Sequence, residues 1–184
     1  MRDLDRAWLL LAAPPAILLS AAPVRAVQYL DVQAAQRALF ADATHLEPAP
    51  VALDDAQRDA LRKASGTRTP IPVDKVWRAL RGDELLGWFI VDEVYGKHEF
   101  ITYAAGIDAS GAVVGIEIME YRETHGGEVR EPRWRDQFHG KRSSDPLELD
   151  EDIANISGAT MSCKHLTEGV RRLLALHDVA LKGR

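Results

Sequence analysis

The spacing of apolar residues changes along this 184-residue chain. Near the carboxyl end, the positions that share one helix face are Leu166, Val170, Leu173, Leu174 and His177. This spacing predicts an amphipathic helix, and the run of small residues at 156–162 marks its beginning.

Ahead of this helix the apolar positions follow the period of extended strands. Four strand candidates are rich in β-branched and aromatic residues: Val73–Leu80, Leu85–Val94, Phe100–Asp108 and Ala112–Tyr121. The short turns between them favour antiparallel hairpins, because parallel strands need long crossovers. In the fourth strand Val114, Ile116 and Ile118 are expected to share one apolar face. We therefore expect an α+β fold, an antiparallel sheet covered by helices that gather on one side.

Residues 27–72 are predicted to be an N-terminal helical segment, and residues 73–184 the main domain. Helices are predicted at Val27–Phe40 and Leu53–Ala64, and the prolines within His45–Val51 predict a linker between them. We expect these two helices to pack on the edge of the sheet.

The first 26 residues resemble a secretory signal peptide. An apolar stretch from Ala7 to Ala22 is followed by Val24-Arg25-Ala26, which predicts cleavage after Ala26 and a periplasmic location. The alternative is an uncleaved membrane anchor, although the apolar stretch is shorter than the roughly 20 residues that a spanning helix needs.

Charge and cysteine content exclude several classes of function. The chain has a net charge of −5 and lacks a basic cluster, which argues against nucleic-acid binding because phosphates would be repelled. Cys163 is the only cysteine, so neither an intrachain disulfide nor a CxxC metal motif can form. The six histidines show no HExxH spacing, and no metal site is predicted.

The helix start at Ser157-Gly158-Ala159-Thr160 carries the strongest candidate chemistry. Ser157 is the predicted N-cap, and the small residues Gly158 and Ala159 allow close approach of other backbone or of a ligand. The free N–H groups of a helix start attract anions, so a phosphate bound there would lie beside the Thr160 hydroxyl. Ser162 would either hydrogen-bond that phosphate or satisfy the first turn. From the spacing alone, an ordinary capped helix is the more common interpretation.

Four blocks of this sequence, in the same order, resemble the FMN-binding domain family. They are residues 106–118, Glu123–Gly127, Arg135–Lys141 and Ser157–Ser162. The family includes the C subunit of the sodium-pumping NADH:quinone reductase, the G subunit of Rnf complexes and small periplasmic relatives. The resemblance implies an FMN cofactor joined through its phosphate to Thr160, attached by a flavin transferase that uses FAD as the donor.

The resemblance also implies that the loop after the fourth strand contacts the flavin. The candidate contacts are Glu123, Thr124, His125 and Gly126. Because the pKa of histidine ordinarily lies near neutral pH, His125 could tune the reduction potential of a nearby flavin. His125 stands where the family has proline, and Ala154 stands where it has aspartate, six residues before Thr160. Asp152 is the nearest acidic residue upstream. Burial of the motif would explain why free flavin does not react.

With the resemblance included, the sequence predicts a periplasmic electron-transfer flavoprotein. Its partners would be membrane-bound redox proteins, such as cytochrome, iron–sulfur or quinone-linked proteins. Two alternatives are a module that binds FMN or another small ligand noncovalently, and a reductase that uses the flavin on a soluble acceptor. A third alternative uses Cys163 as a catalytic thiol beside His165, because a helix start lowers the pKa of a thiol. The expected role of Cys163 is instead to pack behind the flavin.

Overall fold

The described residues form a six-stranded antiparallel sheet with helices packed on it. The computed structural model describes residues 27–67, 70 and 72–184, so the predicted signal peptide lies outside the described residues. The strands are β1 (Val27–Gln28), β2 (His45–Pro48), β3 (Val76–Arg81), β4 (Glu84–Tyr95), β5 (Phe100–Asp108) and β6 (Val113–Tyr121). Their order across the sheet is β1-β6-β5-β4-β3-β2. The four predicted strands are present, and the predicted α+β fold is confirmed.

Four α-helices and three further helical turns complete the described part of the chain. The α-helices are α1 (Val32–Leu39), α2 (Asp55–Ser65), α3 (Pro132–Arg135) and α4 (Thr160–Leu176). The turns are 3₁₀ at Gly127–Arg130 and Asp136–Phe138, and π-helical at His177–Leu181. Within the described ranges, none of the helices has both the length and the apolar character of a membrane span.

The helices cover both faces of the sheet, so the prediction that they gather on one side is wrong. Leu166 and Leu173 of α4 belong to the larger core on one face, whereas Leu39 of α1 packs on the other. The reason lies in the central strands, where residues 87–92 of β4 and 103–107 of β5 are buried without interruption. A strand covered on both faces has a continuous apolar run instead of an alternating one.

The segment His45–Val51 is not the predicted linker, because β2 occupies its first half. This strand pairs with β3 at the sheet edge, with Leu46 opposite Ala79. Pro48 ends the strand, and at an edge the missing N–H of a proline is tolerated. The two prolines therefore mark the end of a strand and not an unstructured connection.

The helix predicted at Val27–Phe40 is shorter than expected, because its first residues form β1. Val27 pairs with Tyr121 at the end of β6. Helix α1 then begins after Asp31, whose side chain accepts a 2.7 Å hydrogen bond from the Ala34 N–H. Residues 27–28 thus form a short edge strand that pairs with the end of β6.

Helix α2 packs against α4, and not on the sheet edge as predicted. It begins with a capping box: the Asp54 carboxylate accepts from the Gln57 N–H at 2.8 Å, and the Gln57 side chain accepts from the Asp54 N–H at 3.1 Å. Leu61 is 2% exposed and joins the core that α4 shares. Helix α4 therefore lies between the sheet and α2, which buries side chains around most of its circumference.

Two irregularities in β6 direct its last side chain toward the start of α4. The pairing of β6 with β5 shifts register twice. Ile116 and Ile118 face α4, whereas Val114 packs on the α1 side with Met119, so the predicted grouping of Val114 with the two isoleucines is wrong. A bulge adds one residue to a strand and reverses the alternation of faces. The second bulge returns Tyr121 to the α4 side.

Candidate functional site

Helix α4 begins at Thr160, the residue that the resemblance marks for attachment. Ala159 occupies the N-cap position without a side-chain hydrogen bond, so the prediction of Ser157 as the N-cap is wrong. A tight turn precedes the helix, closed by a 2.9 Å hydrogen bond from the Ala159 N–H to the Ile156 carbonyl, and it places Ser157 outside the helix. Because the cap residue offers them no side chain, the first N–H groups of α4 are available to an anion.

The attachment motif lies at the surface, so burial does not explain why free flavin would fail to react. Ser157, Gly158 and Thr160 are exposed, and Ala159 is the buried member of the four. The Thr160 hydroxyl is therefore accessible to a second protein. A threonine hydroxyl is a weak nucleophile, and this alone would keep it unreactive toward free flavin.

The loop after β6 and the motif pack directly against each other. Gly126 has a φ of +82°, and a Cβ on it would lie 2.6 Å from the Ala159 Cβ and 2.8 Å from the Tyr121 hydroxyl oxygen. Only glycine fits this contact. Tyr121 donates a 2.6 Å hydrogen bond to the His125 carbonyl, and its oxygen lies 3.2 Å from the hydroxyl oxygen of the buried Ser162. Tyr121 thus joins the loop to the first turn of α4.

The Glu123 carboxylate holds the turn between β4 and β5. Its Oε1 accepts hydrogen bonds from the backbone N–H groups of Lys97, of His98 at 2.6 Å and of Glu99 at 3.1 Å. A Cβ on Gly96 would lie 2.5 Å from the same oxygen, so a side chain at this position would displace the carboxylate from its hydrogen bonds. Partial burial acts to raise the pKa of Glu123, but the three N–H groups outweigh it and hold that pKa below its ordinary value.

Replacing Glu123 by glutamine should weaken this turn and flatten the pH dependence of stability. Because the folded-state pKa of Glu123 is lowered, its stabilising contribution is present above the ordinary value of about 4.3 and is lost as pH falls through the folded value. At pH 7 the variant should be less stable by about 1 kcal/mol, and this difference should disappear toward acid pH. Urea unfolding at a series of pH values measures the free energy of unfolding of the wild type and of the variant. If the difference between them stays constant into acid pH, the charge of Glu123 does not stabilise the turn.

Two adjoining clefts flank the place where the loop and the motif meet. The larger, about 690 Å³, opens between the loop after β6 and the first part of the motif. The smaller, about 450 Å³, opens between the β4–β5 turn and the start of α4, with Thr160 on its wall. Thr124, His125 and Gly158 line both clefts. Both volumes fall in the range of about 300–1,000 Å³ that is typical of small-molecule sites.

The charges on the walls distinguish the two clefts. Lys97 and His98 line the smaller cleft. The Glu123 carboxylate also lies there, but it already accepts hydrogen bonds from backbone N–H groups. Arg130 lines the larger cleft, but so do Glu128 and Glu131. An anionic group is therefore better accommodated in the smaller cleft, beside the start of α4.

The segment before the motif is fixed by the short helices that follow the loop. Trp134 Nε1 donates to the Ala154 carbonyl at 2.8 Å, and the Ala154 N–H donates to Gln137 Oε1 at 2.7 Å. Lys141 forms a 2.8 Å ion pair with Asp152. Partial burial acts to raise the pKa of Asp152, but Lys141 and backbone N–H groups outweigh it and lower that pKa. The Asp152 carboxylate thus stabilises this segment, and its hydrogen bonds go to Lys141 and to the backbone of residues 147–148 rather than to the attachment motif.

Asn155 is a residue of the site that the sequence pattern gave no reason to select. Its Nδ2 donates a 3.2 Å hydrogen bond to Thr160 Oγ1. An asparagine in a polar loop indicates only a turn, and a separation of five residues corresponds to no helical or strand period. The tight turn at 156–159 folds the chain back and brings the two side chains together.

Cys163 lies beneath the motif in the core and is fully buried, which confirms its predicted burial. Burial raises the pKa of its thiol, the opposite of what a catalytic thiolate needs. The Nδ1 atom of His165 contacts the Tyr95 carbonyl. The catalytic-thiol alternative therefore loses its physical basis. In the part of the chain that the structure describes, no group of histidine, cysteine and acidic residues is arranged to hold a metal ion.

These features define a class of protein, an α+β domain that offers a phosphate-bearing cofactor an uncapped helix start and two adjoining clefts. The residues present suit FMN. The first N–H groups of α4 with Lys97 suit its phosphate, and the space bordered by Thr124 and His125 suits a planar ring.

Comparison with known proteins agrees with this description. Residues 96–175 match the family model of the FMN-binding domain. The chain is also similar to the G subunit of the Na(+)-translocating ferredoxin:NAD(+) oxidoreductase complex of Acetobacterium woodii, with 27% identity over 123 residues that cover 61% of this chain and 59% of the relative. It thus spans about three-fifths of the length of that curated relative. The match over residues 96–175 and the similarity to this relative indicate FMN as the cofactor.

Proposed function

We propose that this protein is a periplasmic electron-transfer flavoprotein whose FMN is joined by a phosphoester to Thr160. The observation that carries the proposal is the exposed Thr160 hydroxyl at the first residue of α4, on the wall of a cleft in an FMN-binding domain. The uncapped helix start supports the same proposal, because it favours the charge of a phosphate held beside that hydroxyl.

Attachment requires a second enzyme, since a threonine hydroxyl is a weak nucleophile unless a base activates it. The proposed donor is FAD, and the proposed catalyst is a flavin transferase. The Thr160 oxygen bonds to the phosphorus of the FMN half, the phosphoanhydride bond of FAD breaks, and AMP leaves. The hydroxyl proton passes to a base of the transferase, and no electrons change hands. The exposure of Thr160 supports this proposal, because it gives the transferase access.

The proposed role of the loaded domain is to pass electrons between membrane-bound redox proteins. Bound FMN supplies one- and two-electron chemistry, and the chain holds and orients it. The similar relative is named as a subunit of a ferredoxin:NAD(+) oxidoreductase complex, which supports cytochrome, iron–sulfur or quinone-linked partners for this chain. The apolar stretch within residues 1–26 supports export, followed by cleavage after Ala26 or by retention as a tether.

Production with and without a flavin transferase tests the covalent attachment. The exported protein is purified, denatured and digested, and the mass of the peptide that contains Thr160 is measured. We expect this peptide to gain one FMN group in the coexpressed sample and to be unmodified without the transferase. An unmodified Thr160 peptide from the coexpressed sample would contradict covalent attachment.

Noncovalent binding of FMN is a second candidate, and Ala154 favours it, because the resembling family has aspartate at this position. Denaturation separates the two candidates. Covalently attached flavin stays with the unfolded chain, whereas noncovalent flavin is released into solution. Steady oxidation of NAD(P)H by the purified, flavin-loaded protein would instead favour a reductase.

A further inference from the structure

The Thr160 hydroxyl is hydrogen-bonded to the side chain of Asn155, with 3.2 Å between Nδ2 and Oγ1. The backbone around this pair is held on both sides. The turn from Ile156 to Ala159 is closed by a 2.9 Å hydrogen bond, and the N–H and carbonyl of Ala154 are both bonded to side chains of the preceding segment. Anchored backbone therefore brings the two side chains within reach of each other.

The other end of the same amide is buried without a partner. Asn155 Oδ1 is shielded from solvent and accepts no hydrogen bond from the residues that the structure describes. A buried polar atom left unpaired costs free energy, so its presence beside the proposed attachment hydroxyl requires an explanation. A half-turn about χ2 exchanges the oxygen and the nitrogen of the amide. Either end can thus face Thr160, and in the observed orientation Oδ1 is the end without a partner.

We infer that Asn155 is the positioning residue for the attachment of FMN at Thr160, an inference that rests on the covalent attachment proposed above. With Oδ1 toward Thr160, the hydroxyl donates its hydrogen to Asn155 and presents its lone pairs to the cleft. With Nδ2 toward Thr160, the amide donates to the same oxygen after that oxygen has lost its proton and become part of the phosphoester. One amide can thus accept a hydrogen bond from the Thr160 hydroxyl before the reaction and donate one to the phosphoester oxygen after it.

The chemical step leaves Asn155 unchanged. The bond from Thr160 Oγ1 to the phosphorus of the FMN half forms, the bond from that phosphorus to the AMP phosphate breaks, and the proton goes to a base of the transferase. A carboxamide neither takes nor gives up that proton at physiological pH. Asn155 acts by fixing the direction of the hydroxyl, which raises the rate by holding the reacting oxygen in a productive geometry.

Three variants of the full chain, assayed with transferase and FAD, test this inference. Asn155→Leu keeps a side chain of similar size and removes both hydrogen-bonding ends. Asn155→Asp keeps an acceptor for the Thr160 hydroxyl. Glu151→Gln changes an exposed residue of the same segment and serves as the matched control. The initial rate of mass gain at several concentrations of the acceptor chain separates the maximal rate from KM.

We expect Asn155→Leu to lower the maximal rate about tenfold, because the direction of the hydroxyl is lost. Its KM should stay within about twofold of the wild-type value, since the surface that meets the transferase is retained. Asn155→Asp should recover most of the rate at neutral pH, and Glu151→Gln should behave as the wild type.

Any other result would contradict either the role of Asn155 or the proposed attachment at Thr160. A wild-type rate in Asn155→Leu would overturn the inference and leave covalent attachment standing. A slow Asn155→Leu variant that Asn155→Asp does not rescue would make Asn155 a structural residue only, which also overturns it. If the wild-type chain itself gains no mass, the proposed attachment at Thr160 fails, and the inference fails with it.

Discussion

Replacing Thr160 by valine should abolish covalent attachment of FMN and leave the fold intact. The side chain is exposed, and valine keeps its branched shape while removing the hydroxyl. The structural loss is the hydrogen bond to Asn155, so the free energy of unfolding should change by less than about 1 kcal/mol. Peptide mass after coexpression with the transferase measures attachment, and urea unfolding measures the fold.

Thr160→Ser is the matched control for this experiment, because it retains a hydroxyl at the start of α4. We expect it to accept FMN, at a rate reduced by the extra rotamers open to serine. A Thr160→Val protein that keeps its flavin through denaturation would show that the attachment point lies elsewhere in the chain.

Replacing Asp92 by alanine should have the largest effect on stability, about 3–5 kcal/mol. Asp92 pairs with Arg172 of α4 in the core, where the two side chains are 5% and 3% exposed. Tyr103 also donates a 2.7 Å hydrogen bond to the same carboxylate oxygen, and burial raises the pKa of Tyr103 well above its ordinary value. Removing the carboxylate leaves a guanidinium buried without its counter-charge. Urea unfolding measures the loss.

A second pair on the same helix provides the control. Lys164 and Glu168 lie 4.0 Å apart with side chains 55% and 42% exposed, and a surface pair of this kind contributes little. Glu168→Ala should therefore change stability by less than about 0.5 kcal/mol. The account of the buried pair would be wrong if Asp92→Ala were no more destabilising than Glu168→Ala. The double replacement of Asp92 by leucine and Arg172 by methionine should recover part of the loss, because no charge is then left unpaired, although the buried Tyr103 hydroxyl loses its acceptor.

The elements that the sequence predicted well are those with a local signal. Strand β5 has its predicted bounds, Phe100–Asp108, because a run of β-branched and aromatic residues is bordered by turn residues on both sides. Helix α4 follows the spacing of its apolar residues. Two of the family blocks meet in space, where Gly126 packs on Ala159.

What the sequence did not predict depends on partners distant in the chain. Arg172 has the spacing of a solvent-exposed residue, and only its pairing with Asp92, 80 residues away, places it in the core. The strand at 45–48 is held by its ladder with β3 and not by its own composition, which contains a proline. The contact of Asn155 with Thr160 arises from a turn whose geometry no periodic pattern encodes.

The way Tyr121 connects the site has a consequence for the order of events during maturation. Its hydroxyl reaches the loop after β6 and the first turn of α4, and its position depends on two bulges in the last strand of the hairpins. The contact with Ser162 joins residues 41 positions apart, so it forms only after β6 and α4 have come together. A chain that is still unfolded has no cleft and no oriented threonine. Under the proposed attachment, the cofactor would therefore act as a mark of successful folding, present on finished molecules and absent from incomplete ones.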